Sequence, residues 1–273
     1  MIEKTLDKLR QEGALVHNIT NYVSVNDVAN VLLAAGASPI MADDEGEVEE
    51  ITSICSGLCI NIGTLNKRTI AAMFLAGKRA KELDHVLVLD PVGAGASKLR
   101  TDTAVKLMDA IPFDVIRGNI SEIKTLALGS GNTKGVDADI ADRVTEESLA
   151  AAVEFVKGFS QKTGSIIAVT GAIDLVSDGE RCYIIRNGRP EMGRITGTGC
   201  QLSALLTAFV AANRENPLDA VAAAVCAMGL AGEMGWENML PGEGNSTYRN
   251  RIIDAIYHMD GKTLAGGAKY EIL

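Results

Sequence analysis

The stretch Val86-Leu-Val-Leu-Asp90-Pro91-Val92-Gly93 decides the fold that we expect for this chain. Four consecutive apolar residues that end at Asp90 and Pro91 predict a strand buried on both faces, stopping at the aspartate. Helical patterns flank this strand at 67–83 and 99–110. A buried strand between two helices is typical of a parallel sheet with helical crossover connections.

Working outward, the same alternation of short apolar segments and longer amphipathic ones continues in both directions. Strands are expected at 58–62, 114–117 and 165–169, a hairpin at 173–177 and 181–186, and helices at 201–213, 217–234 and 247–259. This succession predicts an α/β fold with a mainly parallel central sheet and helices on both faces.

The chain shows neither an internal repeat nor a low-complexity linker. We therefore interpret residues 1–273 as a single domain, a length that suffices for a substantial core. The polar, glycine-containing segment 129–142 is expected to form a long exposed loop.

Composition limits the classes of partner and the compartment. Asp and Glu number 35 against 26 Lys and Arg, and this net charge of −9 disfavours nucleic acid and anionic membranes. The longest uncharged window, 195–213, begins too polar and glycine-rich to span a bilayer. Five cysteines without a CxxC pair, and an N-terminus without an apolar leader, lead us to expect a cytoplasmic protein with free thiols.

Small or polar residues follow the predicted strands, at the edge of a parallel sheet where ligands bind. The strand ends in question are Asn61-Ile-Gly63-Thr64, Asp90-Pro91-Val92-Gly93, Arg117-Gly118-Asn119 and Thr170-Gly171. Together they predict one polar site along that edge of the sheet.

The sharpest local motif is Thr196-Gly197-Thr198-Gly199-Cys200, which leads directly into an apolar helix. The amides of residues 197–200 at a helix N-terminus can hold a phosphate or a developing oxyanion. A glycine-rich turn that only feeds the helix is the alternative. Cys200 at this position is expected to have a lowered pKa.

Three charged side chains near the strand ends fit phosphate or metal chemistry. Asp90 can position Mg²⁺ or a substrate hydroxyl, although Asp before Pro also begins turns. Arg117 can bind phosphate oxygens, and Glu122 can reach a metal through water. Asn119 and Glu122 also have the spacing of a helix capping box, which does not exclude a metal contact.

Several other motifs are less informative about function. His17-Asn-Ile-Thr-Asn21 precedes an apolar helix and is as compatible with capping as with binding. The sequence does not complete a P-loop, a GxSxG elbow, a GxGxxG fingerprint or an HExxH zinc motif. A hydrolase with Cys200 as nucleophile and a histidine as base, at position 17, 85 or 258, stays open.

Taken in order, the Asp-Pro-Val-Gly, Asn-x-x-Glu and Gly-Thr-Gly-Cys blocks resemble those of ribokinase-like small-molecule kinases. More specifically, the chain resembles hydroxyethylthiazole kinases over nearly its whole length. The resemblance is carried by His17-Asn-Ile-Thr-Asn21, Asp90-Pro-Val-Gly-Ala-Gly-Ala96, Ile116-Arg-Gly-Asn119 with Ser121-Glu-Ile123, and Lys134-Gly-Val-Asp137. Hydroxymethylpyrimidine kinases share the Gly-Thr-Gly-Cys block but not the others.

This resemblance implies a Mg²⁺-dependent transfer of the ATP γ-phosphate to 4-methyl-5-(2-hydroxyethyl)thiazole, a thiamine-salvage step. It also implies a homotrimer with active sites at subunit interfaces. By motif, the resemblance implies that Arg117 and Thr170 contact ATP and that Asp90 and Glu122 serve the metal. It implies that Met41 and Gly197 contact the thiazole, with a weaker assignment of Asn21 to the substrate side. Cys200 lies where the alcohol reacts.

Alternatives remain at this point. The acceptor can be another vitamin-precursor alcohol such as hydroxymethylpyrimidine, or the chain can be a nucleotide sensor without catalysis. Many relatives in the wider fold have Asp where this chain has Cys200, so Cys200 acts either as a base or only to orient the alcohol.

Overall fold

The computed structural model describes residues 2–129 and 143–273. In chain order, the strands are β1 Leu15–Ile19, β2 Ser38–Ile40, β3 Gly57–Asn61, β4 Val86–Asp90, β5 Val115–Gly118, β6 Ile166–Val169, β7 Asp174–Ser177, β8 Cys182–Ile185 and β9 Tyr270–Ile272. The α-helices are α1 Ile2–Glu12, α2 Val25–Ala35, α3 Val48–Ile54, α4 Lys67–Glu82, α5 Lys98–Ala110, α6 Ile120–Gly129, α7 Leu149–Thr163, α8 Thr198–Ala212, α9 Pro217–Glu237, α10 Asn245–His258 and α11 Gly261–Gly267.

All nine of these strands join one sheet in the order β2-β1-β3-β4-β5-β6-β7-β8-β9. Every pairing from β2 to β6 is parallel, whereas β6–β7, β7–β8 and β8–β9 are antiparallel. The predicted mainly parallel sheet and the predicted hairpin are both confirmed. Because β1, β3, β4, β5 and β6 run in the same direction, their carboxyl ends lie along one edge.

Helices cover both faces of the sheet, as predicted. One hydrophobic core lies under α1, α2, α8, α9, α10 and α11, and a second lies under α3, α4, α5, α6 and α7. The ordered alternation of strand and crossover helix produces these two layers.

Helix α9 is long and apolar enough, by length and composition, to cross a membrane. Every residue from 218 to 232 is nevertheless buried against the rest of the chain. Packing within this one chain therefore accounts for the apolar composition of α9, which is that of a buried core helix.

The predicted element bounds agree closely with the structure around β4, which matches residue for residue. Helix α8 begins at Thr198, three residues before the predicted start, because the glycine motif itself enters the helix. The sequence patterns left β1, β2, β9, α3, α7 and α11 unassigned. The predicted loop at 129–142 contains Gly129, the last residue of α6, and its remainder lies outside the described residues, as does the 134–137 block.

Candidate active site

The carboxyl ends of the parallel strands bring together the polar residues that follow them, as predicted. Asp90, at the end of β4, is fully buried. Its Oδ2 accepts hydrogen bonds from Asn61 Nδ2 and Ser203 Oγ, each over 2.8 Å, and lies 3.6 Å from the Arg117 guanidinium. Its Oδ1 is buried and has no hydrogen-bond donor within residues 2–129 and 143–273. Burial raises the pKa of Asp90 to about 6, against the opposing effect of Arg117.

The Arg117 side chain occupies the centre of the site. It donates from Nη2 to Thr170 Oγ1, so the two predicted ATP contacts are neighbours. A Cβ at Gly199 would lie 2.5 and 2.7 Å from the two terminal nitrogens of Arg117. Glycine at 199 is therefore required for the guanidinium to lie beside the start of α8.

The N-terminus of α8 faces this site. Gly197 caps the helix with φ +89°, and the helical hydrogen bonds begin with Gln201 N–H donating to Gly197 O over 2.9 Å. The amide N–H groups of Thr198, Gly199 and Cys200 precede that first bond. They are free of helical partners and carry the positive end of the helix dipole, as a bound anion requires.

Cys200 corrects one expectation. Burial, together with the nearby negative charge of Asp90, raises the pKa of this thiol, so the lowered pKa expected from its helix position is wrong. Its Sγ accepts a hydrogen bond from Asn21 Nδ2 over 3.1 Å. Desolvation outweighs the helix dipole here, and the side chain is a neutral thiol at pH 7.

A chain of amide hydrogen bonds connects Cys200 to Asp90. Asn21 donates from Nδ2 to Asn61 Oδ1 over 3.0 Å, and Asn61 in turn donates to Asp90. The oxygen of Asn21 accepts from Val23 N, Ser24 N and Ser24 Oγ, which fixes the orientation of its amide. The sequence patterns placed Asn61 at a polar strand end of the expected site but gave it no role. They did not single out Ser203, for which a serine one helical turn after Cys200 was the available signal.

The structure confirms the predicted capping box between Asn119 and Glu122. Its Oε2 accepts from Asn119 N over 2.8 Å, while Asn119 Oδ1 accepts from Glu122 N over 2.9 Å. Its Oε1 accepts from Gly93 N over 2.7 Å. The side chain thus fixes the loop after β4 to the start of α6.

His17 is fully buried inside β1, and both of its ring nitrogens have partners. Nε2 lies 2.9 Å from Ala42 O, and Nδ1 lies 2.9 Å from Thr52 Oγ1. Burial lowers the pKa of the imidazole. None of the three histidines, all of them in the described residues, hydrogen-bonds to Cys200. The geometry therefore gives no support to a Cys–His hydrolase.

A cavity of about 810 Å³ adjoins the site. Arg117, Thr170 and Thr198 line it with polar groups, and Val225 and Met228 of α9 line it with apolar ones. A cavity with this volume and mixed lining is suited to a nucleotide-sized ligand.

Comparisons with known proteins agree with this geometry. A model of the hydroxyethylthiazole kinase family matches residues 6–262. The chain belongs to the hydroxyethylthiazole kinase family. The hydroxyethylthiazole kinase of Clostridium acetobutylicum is 58% identical over 271 residues, 99% of each chain. That of Clostridium tetani is 46% identical over 95% of this chain and 93% of its own.

Solved structures support the same family and fold. The hydroxyethylthiazole kinase structure from Pyrococcus horikoshii OT3 has a TM-score of 0.88 and 36% identity, covering 100% of this chain and 98% of its own. Pyridoxal kinase from Staphylococcus aureus, in complex with AMP-PCP, has a TM-score of 0.60 and 18% identity over 96% of this chain and 98% of its own. The latter likeness shows the ribokinase-like fold.

Membership in the hydroxyethylthiazole kinase family gives the activity. The enzyme transfers a phosphoryl group from ATP to the thiazole alcohol, a phosphorylation of thiamine salvage. Of the alternatives that the sequence left open, the comparisons support this one. The individual roles of the site residues remain predictions.

Mg²⁺ is the metal that the hydroxyethylthiazole kinase resemblance implies, and the acidic side chains fit it. Asp90 Oδ1 is a carboxylate oxygen without a protein donor in the described residues. Both oxygens of Glu122 accept backbone N–H groups, so this residue suits a contact through water. Among the described residues there is no group of three or more Asp, Glu, His or Cys side chains placed to hold a metal ion.

Met41, the predicted thiazole contact, follows β2 at the edge of the sheet. It packs, half-buried, against the same hydrophobic core as Cys200. No described hydrogen bond joins its backbone to the network around Asp90, and its contact with the thiazole ring stays a prediction.

Proposed function

We propose that ATP occupies the cavity beside Arg117 and that its γ-phosphoryl is transferred at the N-terminus of α8 to a thiazole alcohol held beside Cys200. The observation that carries this proposal is that the Arg117 guanidinium lies beside Gly199 at the N-terminus of α8, where the amides of Thr198, Gly199 and Cys200 precede the first helical hydrogen bond. Phosphoryl transfer needs positioned charge more than covalent chemistry, and this arrangement supplies it.

Arg117 and Thr170 hold the nucleotide in this proposal. The guanidinium is mostly buried and has a second donor, Nε, that is free of acceptors in the described part of the chain. Charge-assisted hydrogen bonds from such an arginine to phosphate oxygens are strong. Its position beside Gly199 directs the same positive charge towards the transferring group.

Asp90 and Glu122 would hold the Mg²⁺, Asp90 through Oδ1 and Glu122 through water. The bound ion supplies charge neutralisation between the phosphates. The protein's own contribution is to keep Asp90 oriented, because Asn61 and Ser203 both donate to Oδ2 and leave Oδ1 available.

Cys200 orients the acceptor alcohol and does not remove its proton. Its raised pKa leaves a neutral thiol, which is a poor base at pH 7. A loose transition state requires little base catalysis, so orientation by Sγ is sufficient. Gly197 and Asn21 lie on the same side, with Met41 proposed to contact the thiazole ring.

We also propose a cytoplasmic homotrimer with each site at a subunit interface. Tyr22 and Val23 follow Asn21 directly and are 80% and 57% exposed in the single subunit. Apolar side chains this exposed beside a site favour cover by a partner subunit. Analytical ultracentrifugation tests this assembly, for which a trimer is expected and a monomer at assay concentration would overturn the proposal.

The test of the site assignment measures ADP binding and product formation on the same variants. Arg117→Ala is expected to weaken ADP binding about 10- to 100-fold, the value of a charge-assisted hydrogen bond. Cys200→Ala is expected to keep ADP affinity and to lose thiazole phosphorylation. Unchanged ADP affinity in Arg117→Ala, with intact folding, would remove the nucleotide from this cavity.

A further inference from the structure

Asp174 is a buried acid that the predicted site does not use. It begins β7, four residues after Thr170, and lines the same cavity as Arg117. It is only 9% exposed. Carboxylates are rarely buried to this extent without a partner, because desolvation of the charge is costly.

One oxygen of Asp174 has a structural partner and the other has none. Oδ1 accepts from Gly171 N over 2.8 Å, which closes the turn between β6 and β7. Within residues 2–129 and 143–273, no group donates to Oδ2 and no cation lies within ion-pair distance. An asparagine would close the same turn without a buried charge. The turn therefore does not account for the carboxylate.

The surroundings of Asp174 restrict what can meet its free oxygen. The lining of this cavity includes Val225, Met228 and Gly229 of α9, which carry no charge, and Arg117, whose positive charge acts on Asp174 from beyond ion-pair distance. A phosphate group is unsuitable, because two negative charges in a desolvated cavity repel each other. The nucleoside half of a nucleotide is suitable, since it carries uncharged hydrogen-bond donors on the ribose and on the base.

We propose that Asp174 Oδ2 accepts a hydrogen bond from the nucleoside half of the bound nucleotide and thereby selects nucleotides by their donor groups. This inference rests on the proposed placement of ATP in the cavity. The donor is either a ribose hydroxyl or the exocyclic amine of adenine, and both present the same chemistry to a carboxylate oxygen.

The test uses Asp174→Asn and Asp174→Ala with ADP as ligand, by isothermal titration calorimetry at pH 8. Asn keeps an Oδ1 acceptor for Gly171 and replaces only the free oxygen with a donor. ADP affinity is expected to fall about 10-fold or more in both variants. Removing a negative charge by itself would strengthen the binding of ADP, which is an anion. A fall in ADP affinity would therefore report a lost hydrogen bond and not a changed net charge. Asp178→Asn, in the turn between β7 and β8, is the charge-matched control and should bind ADP like the wild type.

A second series identifies the donor. The wild type and Asp174→Asn are titrated with 2′-deoxy-ADP, 3′-deoxy-ADP and the diphosphate of purine riboside, which lacks the exocyclic amine. One analogue lacks the group that donates to Asp174, and the wild type is expected to bind this analogue more weakly than ADP. Asp174→Asn is expected to bind that analogue and ADP with equal affinity, because the hydrogen bond is already lost. The proposal is overturned if all three analogues keep their wild-type penalties in the variant.

Two further outcomes separate the explanations. If Asp174→Asn binds ADP like the wild type while Asp174→Ala binds weakly, the residue only closes the turn and the inference fails. If Arg117→Ala weakens ADP binding and Asp174→Asn does not, the nucleotide site stands and only the role of Asp174 is lost. Unweakened ADP binding in Arg117→Ala contradicts the proposed function itself. Thermal unfolding of each variant confirms that the binding data come from folded protein.

Discussion

Asn61 donates from Nδ2 to Oδ2 of Asp90 over 2.8 Å, with both side chains buried at adjoining strand ends. The orientation of this amide is fixed, because its oxygen accepts from Asn21 Nδ2 and from Gly63 N. Asn61 therefore holds Asp90 on one side and the residue that contacts Cys200 on the other.

Replacement of Asn61 by Ala should affect both stability and activity. Asp90 loses a donor, and Gly63 N loses its acceptor, so we expect a loss of about 1–3 kcal/mol in unfolding free energy. We also expect a higher Mg²⁺ concentration for half-maximal rate. Urea denaturation and a Mg²⁺ titration of the rate measure the two effects.

Ser203→Ala is the matched control, since it removes a donor to the same oxygen without touching Asn21. Both variants should change the Mg²⁺ dependence, and Asn61→Ala should change the KM for the thiazole alcohol as well. An Asn61→Ala enzyme with wild-type Mg²⁺ dependence would show that this amide does not orient Asp90.

Local patterns in the sequence predicted two structural features beside the candidate site. Four apolar residues before Asp90 predicted β4, and the Asn119–Glu122 spacing predicted the capping box that the structure shows. In each case the decisive information lies within a few residues of the chain.

Features that depend on distant contacts were not predictable. Strand β1 contains the polar residues His17 and Asn18, and a polar pattern does not predict a buried strand. The imidazole of His17 can be buried because Thr52 and Ala42, which are distant in sequence, supply its hydrogen-bond partners. The pKa of Cys200 depends on burial, which only the folded chain determines, and its helix position suggested the opposite direction. Asn61 acquires its significance from strand pairing with Asp90, which the sequence does not display.

Alkylation of Cys200 tests the neutral-thiol state. Because the pKa lies above the ordinary value of 9.0, the rate of iodoacetamide modification should keep rising beyond pH 9. Mass spectrometry of the peptide that contains Cys200 separates it from the four other cysteines, which are buried. A rate that levels off below pH 8 would indicate a lowered pKa and restore a base role for the thiol.

Cys200→Asp tests what the thiol does. Asn21 can donate to a carboxylate at this position as it does to Sγ, and a carboxylate can accept a hydrogen bond from the alcohol. We expect turnover to be retained or improved, measured as kcat with saturating MgATP. Cys200→Ser serves as the neutral control. Complete inactivity of a correctly folded Asp variant would count against an orienting or base role that a carboxylate can fill.

The pH dependence of stability should identify the buried charge of Asp174. Burial raises its pKa to about 7 in the folded protein, above the ordinary value of 3.8. The folded state thus holds the proton more tightly, and the stability that this provides is lost as the pH rises from about 4 to above 7. Asp174→Asn removes this loss, so its unfolding free energy relative to the wild type should be higher at pH 8 than at pH 5. Urea denaturation at both pH values measures the difference, and an identical difference at each would contradict the raised pKa.

Gly199→Ala tests the contact between α8 and Arg117. The added Cβ would lie 2.5 Å from a guanidinium nitrogen, so Arg117 must move away from the helix N-terminus. ADP affinity and the rate of thiazole phosphorylation should each fall about 10- to 100-fold, the range for loss of a charge-assisted hydrogen bond.

Gly158→Ala, on α7, is the control because no atom lies within 4 Å of its Cβ position. Because alanine favours a helix over glycine, both variants should keep their thermal stability, and the fall in activity should then follow from the displaced arginine. An unchanged rate in Gly199→Ala would mean that the guanidinium acts from a position farther from α8.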